Sequence, residues 1–376
     1  MYYLPKLKAA AAKNVKGRKT DVQDCTWIQK LHTLGLLSGS FLPDEATEKL
    51  RTYCRHRTNL LESAAKCSLR MQKYLRLLNL RLDVVVKDIT GLTGLRIVEA
   101  ICSGETDAEK LASLRHGNCR KSEEEIAKAL QSNKREDFLF ALCQEYDQYQ
   151  YLQQQICRCD EAMKKQLDNH IGQDEAKKAL FTEAKVHKRI NKNAPQNIDV
   201  NLVAYQYFDG IDLLSIQGVG HSTVLTLMSE VGPEGLKKFD TAKQFASWLR
   251  LCPNKKISGG KTLSSRIPKG SNHLKVALRQ AANAIGNLKD NYLTSFFNRI
   301  CFRKGRTAAI SATARKLAII IWNMVVKHQP FTPPETYEYL DQKRKRKVRE
   351  LQKQLAKLET TLAELKGPQN APVEAF

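Results

Sequence analysis

Two long stretches with apolar residues at heptad spacing constrain the fold of this 376-residue chain more than any other feature. In the first, apolar residues alternate at intervals of four and three from Leu60 to Leu78, within a segment expected to be helical from about 46 to 88. In the second, which ends near Asn169, they hold heptad positions from Leu139 to Met163. Such spacing places the apolar side chains on one helix face. We therefore predict a mainly α fold in which two long helices pair as an antiparallel coiled-coil arm.

The rest of the chain divides around this arm. Thr20 or Asp21 is a suitable N-cap for an amphipathic helix, which Gly35 would end. Near the C-terminus, Val348 to Leu365 repeat the three-and-four spacing of a second coiled-coil helix. The predicted ranges are 1–45 for the N-terminal segment, 46–184 for the arm, 185–201 for a polar linker, 202–330 for a compact helical domain, 335–366 for a basic helix and 367–376 for a disordered tail.

The charge balance indicates a polyanionic partner. The chain has 62 Lys and Arg against 39 Asp and Glu, a net charge of +23. Between Leu251 and Lys316 there are fourteen basic residues and a single acid, Asp290, and further basic groups lie within residues 1–20 and 343–347. A stretch this unbalanced is expected to need an external anion, most plausibly nucleic acid. Two interpretations of the arm stay equally open: it only holds subunits together, or its basic outer face also lies along nucleic acid. The basic residues of that face are Arg51, Arg55, Arg57, Arg70, Lys73, Arg76 and Arg81.

Several classes of protein do not fit the sequence. The N-terminus lacks the pattern of a secretory signal. The longest apolar run, Leu317 to Val326, is half the length of about 20 residues that a bilayer requires. The ten cysteines include no Cys-x-x-Cys pair, so we expect reduced, packed thiols rather than a zinc site.

The segment from Leu214 to Gly232 contains two glycines, Gly218 and Gly220, between apolar helical patterns. This arrangement is typical of a helix-hairpin-helix, in which glycines permit a tight turn and backbone N–H groups at a helix N-terminus bind a DNA phosphate. An ordinary turn between two helices is the alternative.

Ser258 is the strongest candidate for chemistry. It precedes Gly259 and Gly260 and has basic neighbours, so positive charge would stabilise both an alkoxide and a pentacoordinate phosphate. A phosphate-binding loop without covalent chemistry is the alternative, and by spacing alone the better one. Ser264 and Ser265 are rival nucleophiles without paired glycines. The basic residues proposed to contact nucleic acid here are Lys255, Lys256, Lys261, Arg266 and Lys269.

Asp21 and Asp24 stand three residues apart at a predicted helix start, and so lie on one helix face. Two carboxylates at this spacing can share Mg²⁺. A capped helix start explains them at least as well. The histidines stand apart from one another, so they are expected to be structural residues or phosphate contacts.

Three motifs together resemble the DEDD-type bacterial insertion-sequence transposases, the IS one-ten family. The segment from Gly17 to Trp27, with Asp21 and Asp24, is similar to the last acidic motif of that family. The segment 88–94 resembles its middle part. The stretch 258–261, with the glycine turn before it and the later 310–318, resembles its C-terminal transposase domain.

This resemblance implies a DNA recombinase that excises and inserts its own element. It implies an RNase H-like (RuvC-like) α/β domain with four acidic residues and Mg²⁺, of which this chain would keep a remnant holding Asp21 and Asp24. Ser258 would form a phosphoserine link to DNA. A structured noncoding guide RNA would pair with donor and target DNA. The resemblance further implies a dimer or tetramer in the bacterial cytoplasm, associated with the nucleoid.

One departure bears on activity. The family's first Asp and its Glu lie upstream of the last acidic motif, and this sequence starts about twenty residues before that motif. A chain with two of the four acids is expected to be inactive or impaired as a recombinase, whether its start is misplaced or the copy has decayed. The alternative functions are a non-catalytic DNA- or RNA-binding helix-hairpin-helix protein and a structural scaffold for nucleic acid.

Overall fold

The computed structural model describes residues 20–35, 41–172, 181–187, 193–254, 256–270, 272–289, 292–332 and 336–365. Almost all regular structure in these ranges is helical, which confirms the mainly α fold. The chain forms two compact units, one comprising Met1–Leu214 with Gly220–Thr241, and the other comprising Ser215–Val219 with Ala242–Phe376.

The first unit contains ten of the described helices. A hydrogen bond from the Gln23 backbone N–H to the Thr20 hydroxyl caps the first of them, as predicted. The helices are α1 (Asp21–Thr33), α2 (Glu45–Leu77), α3 (Leu82–Val85), α4 (Leu92–Cys102), α5 (Ala108–Ser113), α6 (Glu123–Ala129), α7 (Glu136–Gly172), α8 (Val200–Tyr207), α9 (His221–Glu230) and α10 (Gly232–Lys237).

Helices α2 and α7 form the predicted antiparallel pair. Arg57 of α2 contacts Asp160 of α7, whereas Arg70, further along α2, contacts Glu145, earlier in α7. Heptad residues of both helices, among them Cys67, Met71 and Tyr146, are buried in a shared core, and Leu60, Tyr74 and Leu139 pack against it partly buried. Apolar spacing therefore predicted this pairing correctly. Supercoiling of the pair stays a prediction.

Helix α2 ends at Leu77 and not near the predicted 88, because the chain turns at Asn79, which has φ +62°. The segment from Asp88 to Gly94 instead forms the hydrogen-bonded turn that leads into α4. The carboxylate of Asp88 accepts bonds from the backbone N–H and the hydroxyl of Thr90 at 2.9 and 2.7 Å, and α4 begins two residues later. Gly94 lies so close to the Ile89 backbone that a Cβ there would stand 2.2 Å from the Ile89 carbonyl oxygen. A larger residue than glycine would force this turn apart.

The basic residues of α2 do not form an unpaired outer face, which corrects one interpretation of the arm. Arg57 is only 8% exposed and pairs with Asp160, which is fully buried. Arg51 donates to backbone carbonyls of the same unit. Four further arginines also meet an acid, although their side chains stay about half exposed to water. The other ion pairs are Arg55–Glu230, Arg70–Glu145, Arg76–Asp83 and Arg81–Asp83.

The predicted linker is packed where it is described. The Asn193 carbonyl accepts a bond from Arg57, and the Gln196 backbone N–H donates to Asp160. Ile198 is buried, and α8 starts two residues later. Polar composition suggested a free connection here, but the buried Arg57–Asp160 pair needs these backbone groups as additional partners. The linker prediction is therefore wrong for residues 193–199.

The second unit is built around one long helix. Its described helices are α11 (Ala242–Trp248), α12 (His273–Ile285), α13 (Tyr292–Lys304), α14 (Arg306–Lys327) and α15 (Thr336–Leu365). Helices α11, α12 and α13 all pack against α14, whose buried residues include Leu317 and Ile321. Of the described helices, α14 alone is long and apolar enough to cross a membrane, and half of its apolar stretch is buried within the protein. These contacts identify α14 as the core helix of this unit.

Helix α15 matches the predicted C-terminal basic helix. Its heptad residues Val348, Leu351, Leu355 and Leu358 are about half exposed, between 48% and 63%. The N-terminal basic residues 1–19 and the tail 367–376 lie outside the described residues, as does Lys255.

Candidate functional site

Ser258 lies at the end of a short β-strand, an element that the sequence analysis did not predict. Strand β1 (Lys256–Ser258) pairs in antiparallel orientation with β2 (Lys261–Ser264), and Ser258 stands opposite Lys261. Gly259 and Gly260 form the two-residue turn with φ values of +54° and +72°. A hairpin turn with positive φ at both central residues matches the twist of the strands and strongly favours glycine. The paired glycines thus present Ser258 beside a tight turn.

The surface around this turn is open. A Cβ added at Gly259 or Gly260 would meet no atom within 4 Å. Ser258 is exposed, and the apolar side chains of Ile257 and Leu263 are 61% and 70% exposed. The space in front of both glycines agrees with the expectation that a ligand approaches the backbone here.

The rival serines differ from Ser258 in their surroundings. The hydroxyl of Ser264 accepts a bond from the Arg266 backbone N–H at 3.3 Å, and the residue is half-buried. Ser265 is exposed but follows the end of β2, away from the turn. The Ser258 hydroxyl makes no hydrogen bond to another described residue. Geometry thus leaves Ser258 as the serine whose oxygen is available beside the turn.

Three of the five predicted basic contacts have described side chains, and all three are exposed. Lys261 begins β2, and Arg266 and Lys269 lie on the segment after it. Lys256 pairs with Ser264 through the backbone, but its side chain lies outside the described residues, as does the whole of Lys255.

Three hydrogen bonds hold the segment that follows the hairpin. The Arg266 carbonyl accepts a bond from the Asn254 backbone N–H at 3.1 Å. Arg250 donates to the Lys269 carbonyl. Lys275, only 7% exposed, directs its Nζ to the Gly270 carbonyl at 3.3 Å. Both ends of the strand pair are therefore anchored while the turn stays open.

Lys275 corrects part of the charge argument. Burial lowers the pKa of its ammonium group, and the charges of Arg279 and Arg250 lower it further. Lys275 and Lys316 both belong to the basic stretch 251–316, which was expected to need an external anion. Nζ of Lys316 bonds the Tyr292 hydroxyl at 2.7 Å. Carbonyl oxygens and aromatic rings satisfy these cations internally, because donors need acceptors and not necessarily acids.

The two glycines of the predicted helix-hairpin-helix have different roles. Gly218 has φ +84°, and a Cβ there would lie 2.4 Å from Cγ1 of Ile285 in α12. Gly220 has φ −114°, which any residue can adopt, and it is the N-cap of α9. The turn therefore requires glycine at 218 alone. A short 3₁₀ turn (Leu213–Ser215) precedes the glycines, and a helix-hairpin-helix stays a prediction.

The N-terminus of α9 opens into a cavity of about 350 Å³ within the first unit. Gly220 supplies no side-chain cap, and nothing lies within 4 Å of a Cβ built there. His221 is buried and bonds Asn201, so it is structural here. Arg57 also lines the cavity, although its guanidinium already binds Asp160 and the Asn193 carbonyl. The first backbone N–H groups of α9 are the groups that an anion would meet.

The two candidate metal ligands do not form a described metal site. Asp21 is the exposed first residue of α1, and the side chain of Asp24 lies outside the described residues. Among the residues that the structure describes, no three of His, Cys, Asp or Glu come together to hold a metal ion. Mg²⁺ needs several oxygen ligands in near-octahedral geometry. The described donors do not fit that requirement.

Sequence reasoning missed two features of the second unit. The hairpin escaped because its strands have only three and four residues and lack period-two alternation. Phe302, which is 94% exposed, drew no attention because a lone aromatic residue gives no pattern. A signal was nevertheless present, since basic residues surround Phe302 in the sequence.

Two family models match separate segments of this chain. Residues 1–79 match a DEDD-type family model described as a transposase. Residues 212–297, which include Ser258, match the model described as the transposase IS116/IS110/IS902 family. Both segments of this chain are therefore similar to transposases of the IS110 type.

A curated relative supports the same family. A probable family 20 transposase of Pseudomonas aeruginosa (strain PAO1) is 26% identical to this chain over 125 residues. The match spans 32% of this chain and 36% of the relative, so it covers about a third of each protein.

Proposed function

We propose that this protein is a DNA transposase that joins DNA through a covalent bond to Ser258. The observation that carries the proposal is the placement of Ser258, which is exposed beside a Gly-Gly turn inside the segment that matches the transposase family. The net charge of +23 supports DNA as the partner. The resemblance of the chain's motifs to the family supports excision and insertion of an insertion sequence as the overall reaction.

The proposed chemistry is a pair of transesterifications. In the first, Oγ of Ser258 attacks a DNA phosphorus atom, the Ser258 hydroxyl loses its proton to water, and a deoxyribose oxygen leaves and takes up a proton. One P–O bond forms as another breaks, so no external energy source is needed. In the second, a hydroxyl of another DNA end attacks the phosphoserine and releases Ser258. DNA strands are exchanged without a free phosphate.

Basic residues near the hairpin provide electrostatic stabilisation in this proposal. Lys261 faces Ser258 across the strand pair, and Arg266 and Lys269 lie on the anchored segment beyond it. Positive charge at a pentacoordinate phosphate stabilises the transition state more than the ground state. The family commonly uses a divalent metal, but the described residues do not fit Mg²⁺, so no step here passes through a metal.

Further parts of the proposal rest on the family resemblance. A structured noncoding guide RNA would select donor and target DNA, and the protein would act in the bacterial cytoplasm on nucleoid DNA. The half-exposed heptad residues of α15, among them Leu351 and Leu355, support assembly into a dimer or tetramer. A glycine turn binding phosphate at the N-terminus of α9 would add a helix-hairpin-helix contact.

The acidic residues limit what the chain does alone. Asp21 and Asp24 correspond to two of the four acids that the resemblance implies. We expect the 376 residues tested by themselves to recombine DNA poorly.

The test is covalent capture. The purified chain is incubated with labelled, nicked DNA substrates, denatured, and resolved by gel electrophoresis. Nicked substrates let the cleaved strand diffuse away, so even a slow first step accumulates adduct. We expect a protein–DNA adduct that Ser258→Ala abolishes, because the attacking oxygen is lost. The matched control, Ser265→Ala, removes an exposed hydroxyl nearby and should leave the adduct intact.

Two outcomes contradict the nucleophile assignment. One is an adduct that survives Ser258→Ala. The other is an adduct that disappears only with Ser265→Ala. Thermal unfolding of both variants should match the parent chain, because both side chains are exposed.

The second candidate function is nucleic-acid binding without cleavage. The surroundings of the Ser258 hydroxyl favour it, because no described residue bonds this hydroxyl and could take up its proton. In that case the parent chain forms no adduct, and Ser258→Ala binds DNA as tightly as the parent.

A further inference from the structure

Phe302 is the most exposed of the large apolar side chains in the described chain, at 94%. It lies in the last turn of α13, whose earlier residues Leu293, Thr294 and Phe297 are buried. The buried half fixes the helix in the second unit, while the last turn projects into solvent. The ring is therefore presented on a rigid element and not on a loop.

The surroundings of Phe302 distinguish it from an ordinary exposed apolar residue. Single surface hydrophobics are common and need no explanation. Here, however, Arg299 precedes the ring by one turn, Arg303 and Lys304 follow it directly, and Arg306 stands four residues on. The sequence contains no acid between Asp290 and Glu335, so this end of α13 has no local acidic partner.

The ion-pair pattern leaves this charge available. Arg299, Arg303 and Lys304 make no salt bridge with a described residue. Nε of Arg303 donates to the Arg299 carbonyl at 3.3 Å, and the Arg299 guanidinium lies 5.6 Å from the Phe296 ring centroid, but neither contact neutralises the charge. Arg306 instead bonds the side-chain oxygens of Asn283 and Asn287 at 2.7 and 2.8 Å. Those neutral contacts hold the start of α14 against the end of α12 without cancelling the charge of Arg306.

Gly305 separates the two helices with φ +82°, a value that favours glycine, and it is the N-cap of α14. The chain therefore turns directly from α13 into the core helix. Phe302 sits one turn before this corner, so its position is set by packing and by the Arg306 contacts. A pre-placed aromatic ring loses little conformational entropy on binding.

We propose that Phe302 stacks on an unpaired base of a DNA strand whose phosphates contact Arg299, Arg303 and Lys304. An aromatic face next to cations is the combination that binds single-stranded nucleic acid: the cations hold the backbone and the ring stacks on a base. The choice of DNA rests on the proposed function, since Ser258 belongs to the same unit. Strand exchange exposes unpaired bases at the point of joining.

An apolar protein partner fits this surface poorly. Covering Phe302 with a hydrophobic surface would also desolvate cations that have no acidic partner among the described residues, and removing such charges from water is costly. A nucleotide supplies both a π-face and a negative charge. Charge complementarity therefore favours a nucleotide over an apolar protein surface at Phe302.

The test measures DNA binding in a Ser258→Ala background, so that covalent chemistry plays no part. Three labelled DNAs of one sequence are compared by fluorescence anisotropy: a single strand, a duplex with one unpaired 2-aminopurine, and a fully paired duplex. We expect Phe302→Ala to weaken binding to the first two about 5- to 150-fold, the range for loss of one stacked base. Binding to the paired duplex should stay the same, because phosphate contacts are untouched.

Matched variants separate stacking from other effects. Phe302→Trp should restore affinity and the fluorescence change of the 2-aminopurine, because it restores a stacking face. Phe140→Ala removes a ring that is 69% exposed in the other unit, and should change nothing. Lys304→Ala should weaken all three DNAs and reduce the salt slope by about one, as expected for a phosphate contact.

The proposal is overturned if Phe302→Ala weakens binding to paired and unpaired DNA equally, or if Phe140→Ala weakens binding as much. It is also overturned if Phe302→Ala weakens binding only to an RNA strand of the same sequence, or if it changes the oligomeric state in sedimentation. Failure of the Ser258 adduct with an intact Phe302 effect would refute the covalent chemistry alone. The two proposals therefore fail separately.

Discussion

Breaking the buried ion pair between Arg57 and Asp160 is expected to destabilise the first unit strongly. Both oxygens of Asp160 are used: Oδ1 accepts from Nε of Arg57 at 2.5 Å, and Oδ2 accepts from Nη2 of Arg57 at 3.3 Å and from the Gln196 backbone N–H at 2.9 Å. Asp160 is 0% exposed and Arg57 is 8% exposed. Asp160→Ala would leave a buried guanidinium and a backbone N–H without their acceptor.

The magnitude follows from that inventory. Removing one partner of a buried ion pair costs about 3–5 kcal/mol, because the remaining charge is left without compensation. The Asn193 carbonyl, 2.9 Å from Nη1 of Arg57, satisfies one donor and keeps the loss within that range. For a cooperative unit of roughly 150–250 residues, each kcal/mol shifts Tm by about 2–4 °C, so we expect a fall of roughly 6–20 °C.

The assay is thermal and urea unfolding of the full chain, followed by far-UV circular dichroism. The matched control is Glu145→Ala, which breaks the Arg70–Glu145 pair between the same two helices. Arg70 is 50% exposed, so water solvates it after the change and the expected loss is below about 1 kcal/mol. If Asp160→Ala and Glu145→Ala destabilise the chain equally, burial of the pair is not what matters, and the reasoning is refuted.

Two further predictions test the turn at Gly218 and the raised pKa values of the Cys54 thiol and the Tyr207 phenol. Gly218→Ala should destabilise the second unit by about 2–4 kcal/mol, because of the positive φ at this residue and the clash with Ile285. Gly220→Ala should cost below about 1 kcal/mol, because the backbone there is extended and the space is open. Equal urea midpoints for the two variants would contradict this prediction. Burial raises the pKa of Cys54 to about 12 and that of Tyr207 to about 12. Between pH 9 and pH 12 the unfolded chain therefore holds fewer protons than the folded chain, and unfolding free energy should fall as pH rises through this window. Cys54→Ala should flatten that fall, and an unchanged slope would show that the thiol does not contribute.

Helices were the part of the fold that the sequence predicted best. The heptad spacing around Cys67 and Met71 identified α2, and the matching pattern in α7 identified its partner, because a 3.6-residue period leaves a visible trace in apolar positions. The hydroxyl cap at Thr20 was equally predictable, since capping depends on residues next to one another.

The candidate site was predicted in its residues but not in its form. Ser258 and its glycines were singled out for their chemistry, yet the strands around them are too short to show a period. The sequence also could not show which basic residues are exposed. A count of basic residues could not separate Lys275, which is buried against carbonyls, from Lys261, which is exposed beside Ser258.

By itself, the sequence determined the helical class, the long paired helices, the positive charge and the serine beside two glycines. Each of these features depends on adjacent residues, on composition or on the regular spacing of apolar residues. Only the tertiary structure decided which cations remain available. Arg57 and Phe302 illustrate this: the first is buried against an acid 103 residues away, and the second is left exposed at a helix end. Burial depends on elements that are distant in sequence, so no local pattern could have separated the two.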